Sequence, residues 1–228
     1  MESNKDRHSK ALQPPSTSDP EEIARLEAKN GIRQFDAAVN HIESVLQSDR
    51  PRVLRPSLIS TMNRFALEGI TEFAGLYRPA DIKIEGSTHK PPGAHLVSEL
   101  VEGLCDYVNE NWNRSSPIHL AAYVLWRLNW IHPFVDGNGR TTRIISFIVL
   151  CIRVGYRLPG SNTIPDQIAR HKKPYYQALE RADAVFEKDR RIDVSVMEAL
   201  VSTLLANQLA TILKDAGSGE NRPAITET

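Results

Sequence analysis

Twelve residues, His132-Pro133-Phe134-Val135-Asp136-Gly137-Asn138-Gly139-Arg140-Thr141-Thr142-Arg143, hold the side chains best suited to chemistry. A Gly-Asn-Gly turn running into an apolar helix presents the free backbone N–H groups of Gly137, Asn138 and Gly139 at a helix N-terminus, which is an anion site. Glycine at 137 and 139 lets a phosphate chain approach the backbone closely, and Asn138 adds a side-chain amide donor. Arg140 and Arg143, three residues apart, share a helix face and can both reach that anion. Two cations at the positive end of a helix are unfavourable unless an anion offsets them.

Asp136 supplies one hard carboxylate, suited to a Mg²⁺ that keeps several waters and bridges phosphate oxygens. His132, with an ordinary pKa near about 6.5, is mostly neutral at pH 7 and can take a proton from an attacking hydroxyl. Singly these residues have ordinary roles in loops and on solvated faces. Together, base, metal ligand, anion nest and two clamps are the parts of a phosphoryl- or nucleotidyl-transfer site.

The elements that must position this loop can be read on either side of it. Ser116-Pro117 starts a helix through Ile131, an acceptor followed by a proline whose missing N–H costs nothing there. Pro133 then forces His132 out of helical dihedrals, and Phe134 is expected to turn inward and pin the loop to the core. The apolar run Ile144–Ile152 makes the following helix, to about Val154, a buried one. It is far shorter than the roughly 20 residues needed to span a bilayer.

Upstream, Asp19-Pro20-Glu21-Glu22 is a helix start. Apolar spacing continues to Leu46, with Gly31 as the place where the helix would kink or split. A second helix is expected from Pro56 to about Gly69, extended to Gly75, and others over about 95–112, 172–185 and 193–214. Asp81–Thr88 alternates apolar and polar residues with Gly86 at the bend, which predicts a short hairpin. The expected architecture is an all-α bundle with one hairpin.

Composition bounds the rest. The 228 residues suffice for one core with a small extension. Lys plus Arg and Asp plus Glu each number 28, so no net field draws the chain to nucleic acid or acidic lipid. Cys105 and Cys151 sit in apolar stretches and read as buried reduced thiols. Residues 1–18 lack the apolar stretch of a secretory signal, which points to the cytoplasm. Residues 1–18 and 215–228 read as disordered tails, 19–54 as an N-terminal helical extension and 55–214 as the core with C-terminal helices.

His132, Phe134, Asp136, Gly137, Asn138, Gly139, Arg140 and Arg143 match every defined position of H-x-F-x-[D/E]-G-N-G-R-x-x-R, and the segment resembles the Fic family signature. The likeness covers roughly residues 56–190. Ile70–Pro79 resembles the family's lead into its flap, Ile82–Pro92 the flap hairpin itself, and Ser116–His119 and Tyr175–Leu179 the flanking helices. The resemblance implies a Fic-type helical bundle with a short β-hairpin flap beside the active site. It implies a protein adenylyltransferase that moves AMP from ATP to a Ser, Thr or Tyr hydroxyl of a target protein. His132 would be the general base, Asp136 the Mg²⁺ ligand and Asn138 the α-phosphate contact. Arg140 and Arg143 would hold the β- and γ-phosphates.

The flap, Ile82, Lys83, Ile84, Glu85, Gly86 and Ser87, would dock the target as an added strand. Doc-type relatives that transfer phosphate carry a bulkier basic residue where Gly139 stands, so Gly139 favours AMP transfer. Many members are inhibited by a Glu within [S/T]-x-x-x-E-[G/N]. Ser98–Gly103 fits by letters but lies after the flap, where the family does not place its inhibitor. Glu27 lies on the N-terminal helix where inhibitors occur, but Ile23 and Ala28 depart from the pattern, so it reads first as a solvated Glu on a helix face, with an inhibitory pairing to Arg143 as the alternative. A Doc-like kinase, an AMP-removing enzyme and a nucleotide-binding regulator remain as alternatives, and a homo-oligomer stays open.

Overall fold

The computed structural model describes residues 19–49 and 53–219, with side chains as far as Ile212. The tail expected over 1–18 lies outside them, as do residues 220–228.

The first helix, α1 (Pro20–Leu46), is capped by Asp19, whose Oδ1 accepts from Glu21 N at 2.9 Å. It runs through Gly31 without a break, contrary to the kink expected there. Glycine costs about 1 kcal/mol in a helix interior, and packing against α2 (Pro56–Leu67) offsets it. Two amides on α1 serve the carbonyls at the end of α2: Asn30 Nδ2 donates to Glu68 O at 2.8 Å and Gln34 Nε2 to Met62 O at 2.9 Å. These bonds fix the rotation of α1 and so the direction in which Glu27, one turn earlier, faces.

The end of α2 at Leu67 comes earlier than the extension to Gly75 expected from sequence. Gly69 and Gly75 both take positive φ, near 80°, and turn the chain instead. A 3₁₀ turn over Ala94–Leu96 leads into α3 (Val97–Glu110). The central pair is α4 (Pro117–Ile131) and α5 (Asn138–Val154), joined by residues 132–137. Both are buried nearly all round, with Trp126 and Phe147 among the largest enclosed side chains, as expected of helices at the centre of a bundle. The two cysteines are free and buried, and burial raises their thiols to about 12 for Cys105 and about 11 for Cys151.

Beyond α5 comes α6 (Ile164–Arg170), a helix where Gly160 and Pro165 lead one to expect loop. Its signal was present: Thr163 Oγ1 accepts from Asp166 N at 3.4 Å and Pro165 occupies the first turn. Next, α7 (Lys172–Asp189) and α8 (Ser195–Gly219) pack on the outer side of α4. The boundary expected at 214 falls inside α8. Ser195–Ile212 is long and apolar enough to cross a membrane by length and composition. In the bundle it docks through Met197, Val201 and Gln208, the last donating to Pro159 O at 2.8 Å and accepting from Ile164 N at 3.0 Å.

The hairpin expected over 81–88 is not a paired ladder. Ile84 O accepts from Ser87 N at 3.3 Å around Gly86, and no regular strand forms on either side. Pro91 and Pro92 explain this, because the return arm lacks the N–H groups a ladder needs. The alternation itself is kept: Ile84 is buried while Lys83 and Glu85 are exposed. The architecture is therefore an all-helical bundle with a flap-like turn.

Candidate active site

The loop between α4 and α5 is held by its own side chains. His132 ends α4 with φ 52° and ψ 59°. Pro133 excludes the helical region, as expected, but the residue takes the left-handed region, where a non-glycine residue is rare and usually strained. Phe134 is fully buried and its backbone forms an isolated antiparallel bridge to Tyr77. Asn138 Oδ1 accepts from Phe134 N at 2.9 Å and its Nδ2 donates to Phe134 O at 2.8 Å. The side-chain amide expected to touch phosphate thus also braces the loop, with one of its two Nδ2 hydrogens. What the turn offers an anion is the backbone N–H array at the start of α5, entered through Gly137 at φ 71°.

Asn63 is a brace that sequence reasoning missed. Fully buried on α2, it donates from Nδ2 to Asp136 O at 3.0 Å and Thr141 Oγ1 at 3.2 Å, and its Oδ1 accepts from Gly75 N at 2.9 Å. A Cβ on Gly137 would lie 3.0 Å from the same Nδ2. An unpaired buried group costs about 1–3 kcal/mol, and Asn63→Leu strands at least two. The variant is expected to lose about 3 kcal/mol of stability, read as a shifted midpoint in urea unfolding with unchanged slope.

The motif opens on a cavity of about 500 Å³ whose walls include Glu27, Ile84, His89, His132, Asp136, Gly137, Asn138, Gly139, Arg140 and Arg143. Lys172, Tyr175, Tyr176 and Asp183 also line it, and none of the four was picked out as a site residue from sequence. A larger groove, about 820 Å³, lies between α1, α2 and α5, but its walls are mainly apolar with Arg55 as the sole Lys, Arg, Asp or Glu. The motif cavity is the one that gathers charge. The structure thus brings together His132, Asp136, the Gly-Asn-Gly turn and both arginines. Of the flap it adds Ile84 and Ser87, while Lys83, Glu85 and Gly86 stay exposed.

His132 is 6 % exposed, and burial pushes its ring down to about 3, with His89 and Arg78 lowering it further and a hydrogen bond to Asn129 opposing. Its Nδ1 lies 3.2 Å from Asn129 O. A carbonyl can only accept, so Nδ1 carries the hydrogen and Nε2 is the basic nitrogen. The ring is unprotonated when folded. The unfolded ring takes up its proton near about 6.5, so between that pH and about 3 the unfolded chain binds more protons and stability falls as pH falls. One such group contributes a slope of at most about 1.4 kcal/mol per pH unit. Melting temperature is expected to drop on going from pH 7 to 4.5, and less steeply in His132→Gln.

Asp136 is half-buried and its Oδ1 accepts from Gly137 N at 2.6 Å. Among the described residues no group of three His, Cys, Asp or Glu side chains could cage a metal. One hard carboxylate beside an anion nest fits a cation that arrives with phosphate oxygens and keeps its waters.

Arg140 Nη1 lies 3.1 Å from Glu27 Oε1 and its Nη2 3.5 Å from Asp136 Oδ2. Glu27 therefore reaches the motif from α1 and is not simply a solvated face residue, but its ion pair is with Arg140 and not with Arg143. The rotation of α1 set by Asn30 and Gln34 accounts for that choice. Arg143 forms no ion pair among the described residues. Burial lowers its pKa, and the hydroxyls of Tyr175 and Tyr176 and the carboxylate of Asp166 only partly oppose this. A Cβ at Gly139 would come within 3.2 Å of Arg143 Nη1, so glycine there leaves the guanidinium its place.

The Fic/DOC family model matches residues 53–150. A Fido domain-containing protein of Dictyostelium discoideum is 32 % identical over 126 residues, covering 54 % of this chain and 82 % of that protein. The "Protein adenylyltransferase Fic" of Drosophila willistoni is 29 % identical over 160 residues, 69 % of this chain but only 30 % of its own length. The chain thus spans about a third of the length of such fly relatives. Among solved structures, a Fic domain-containing signalling protein from Bacteroides thetaiotaomicron superposes with a TM-score of 0.66 at 22 % identity, over 85 % of this chain and 74 % of that one. Fic-1 from C. elegans gives 0.59 at 23 %, over 84 % of this chain and 52 % of that one. By sequence and by fold, the chain belongs to the Fic/DOC family.

Proposed function

We propose that this protein is an adenylyltransferase that moves AMP from ATP to a Ser, Thr or Tyr hydroxyl of a target protein and releases pyrophosphate. The observation that carries the reading is the neutral His132, Nδ1–H tied to Asn129, in one cavity with the α5 N-terminus, Arg140 and Arg143. Names of relatives such as the fly proteins support the same activity.

In this scheme the target oxygen attacks the α-phosphorus, its proton passes to His132 Nε2, and the bond to the β-phosphate's bridging oxygen breaks with its electron pair leaving on pyrophosphate. Arg140 and Arg143 hold the departing phosphates in line. A ring held near 3 is a weak base, and the negative charge of the bound triphosphate raises it toward the useful range. Mg²⁺, which neutralises phosphate charge when bound, would be held by Asp136. Tyr176, on the α7 side of the cavity, would offer an aromatic contact to the base. The exposed backbone around Lys83 and Glu85 is the edge a target segment would join. Product analysis tests the reading: pyrophosphate is expected in step with modified protein, and ADP in its place would mean phosphate transfer.

Glu27 bears on control of this reaction. Its pair with Arg140 is half-exposed and on its own worth under about 1 kcal/mol. A carboxylate at the phosphate end of the cavity also repels the triphosphate, by about 1–4 kcal/mol at contact distance. Replacing Glu27 with Gly is therefore expected to tighten ATP binding by about tenfold in calorimetric titration and to raise self-modification. Unchanged values would remove Glu27 from any inhibitory role.

A further inference from the structure

Arg78 lies 54 residues before His132, yet its guanidinium is closed off from solvent and its donors go to three backbone carbonyls. Nε donates to His132 O at 2.9 Å, Nη1 to Ala80 O at 3.1 Å and Nη2 to Pro92 O. Its backbone N–H donates to Pro133 O at 2.9 Å. Asp81, the nearest carboxylate, is 3.7 Å away and 80 % exposed, so it offsets little of the buried charge. Asp81 Oδ1 instead accepts from Ala94 N at 2.7 Å and helps close the same neck.

A buried cation costs several kcal/mol unless its donors are well satisfied. An apolar side chain would hold these loops together at lower cost. A planar fork is needed only where several acceptors must keep one fixed arrangement. The three acceptors are telling. Ala80 and Pro92 are the points where the flap segment leaves and rejoins the body, and His132 is the base, held in a left-handed conformation. One side chain therefore sets the roots of the flap and the backbone of the base relative to each other.

We propose that Arg78 is a positioning residue for the transfer reaction, locking the left-handed backbone of His132 and tying both roots of the flap to it, so that a target docked on the flap meets the base in register. The inference rests on the adenylyl-transfer reading. Arg78 touches none of the cavity walls that would hold phosphate, so its loss should separate chemistry from nucleotide binding.

The test uses the full chain carrying Arg78→Lys, which keeps the charge but not the fork, and Arg78→Gln, which keeps planar donors without the charge. Both should bind ATP as the unaltered protein does, while kcat for transfer falls by about 10²-fold, the cost of misplacing a reacting group by about an ångström. In hydrogen exchange, the hydrogen-bonded amides at this neck, those of Arg78, Ser87, His89 and Ala94, should lose protection in both variants. A Lys variant with unaltered kcat would overturn the proposal, as would ATP affinity falling in proportion to kcat. If the unaltered protein transfers no AMP, the transfer reading fails by itself. The exchange experiment still decides then, since unchanged protection of the Arg78, Ser87, His89 and Ala94 amides would sink the role of Arg78.

Discussion

Replacing His132 with Asn is expected to lower AMP transfer by about 10³-fold while ATP affinity stays within a few-fold of its starting value. Asn is the instructive substitution, because it tolerates the left-handed backbone that His132 adopts at φ 52°. An Ala there would add backbone strain to the loss of the base. Asn keeps a polar group near Asn129 but has no nitrogen that can take a proton. A fall in kcat with binding retained, measured side by side by transfer assay and titration, isolates the proton acceptor. Transfer that persists at more than about a tenth of the starting rate would mean that another group accepts the proton.

The second large effect falls on binding. Arg143→Ala should weaken ATP by about 30- to 100-fold, since charge-assisted hydrogen bonds to phosphate contribute roughly 2–3 kcal/mol. AMP should bind both proteins alike, because Arg143 would reach only the outer phosphates. The substitution should not weaken the fold. Arg143 is a cation whose pKa burial already lowers and which has no ion pair among the described residues, so its removal relieves desolvation and breaks no salt bridge. Equal losses for ATP and AMP would place Arg143 elsewhere in the site.

The parts of this site that can be read from sequence are those built by near neighbours. Pro133 dictates that α4 stops, Gly137 that a positive-φ turn follows, and the apolar run after Arg143 that α5 is buried, so the anion nest is legible from the string alone. Asn138 has a second task that the string does not announce. Its side chain binds the backbone of Phe134, four residues back, a local competition typical of Asn that a reading aimed at phosphate passes over. The partner of Glu27 depends on the rotation of a 27-residue helix, which Asn30 and Gln34 set by reaching carbonyls of α2. No spacing within α1 encodes that.

Asn63 and Arg78 are hidden for the same reason. Each is an ordinary polar residue in its own segment and acquires its role only where the chain returns, at Asp136 for the one and at His132 and Pro92 for the other. The flap shows the opposite limit. Alternation at period two identified which side chains turn inward, but the two prolines of the return arm decided that no ladder forms.

Adenylyl transfer moves the α-phosphate of ATP, with its nucleoside, to protein. Parallel incubations with ATP labelled at the α- or at the γ-phosphate test it most directly. Protein-bound label is expected from the α-position alone, and none in His132→Asn. Label on protein from the γ-position would contradict it.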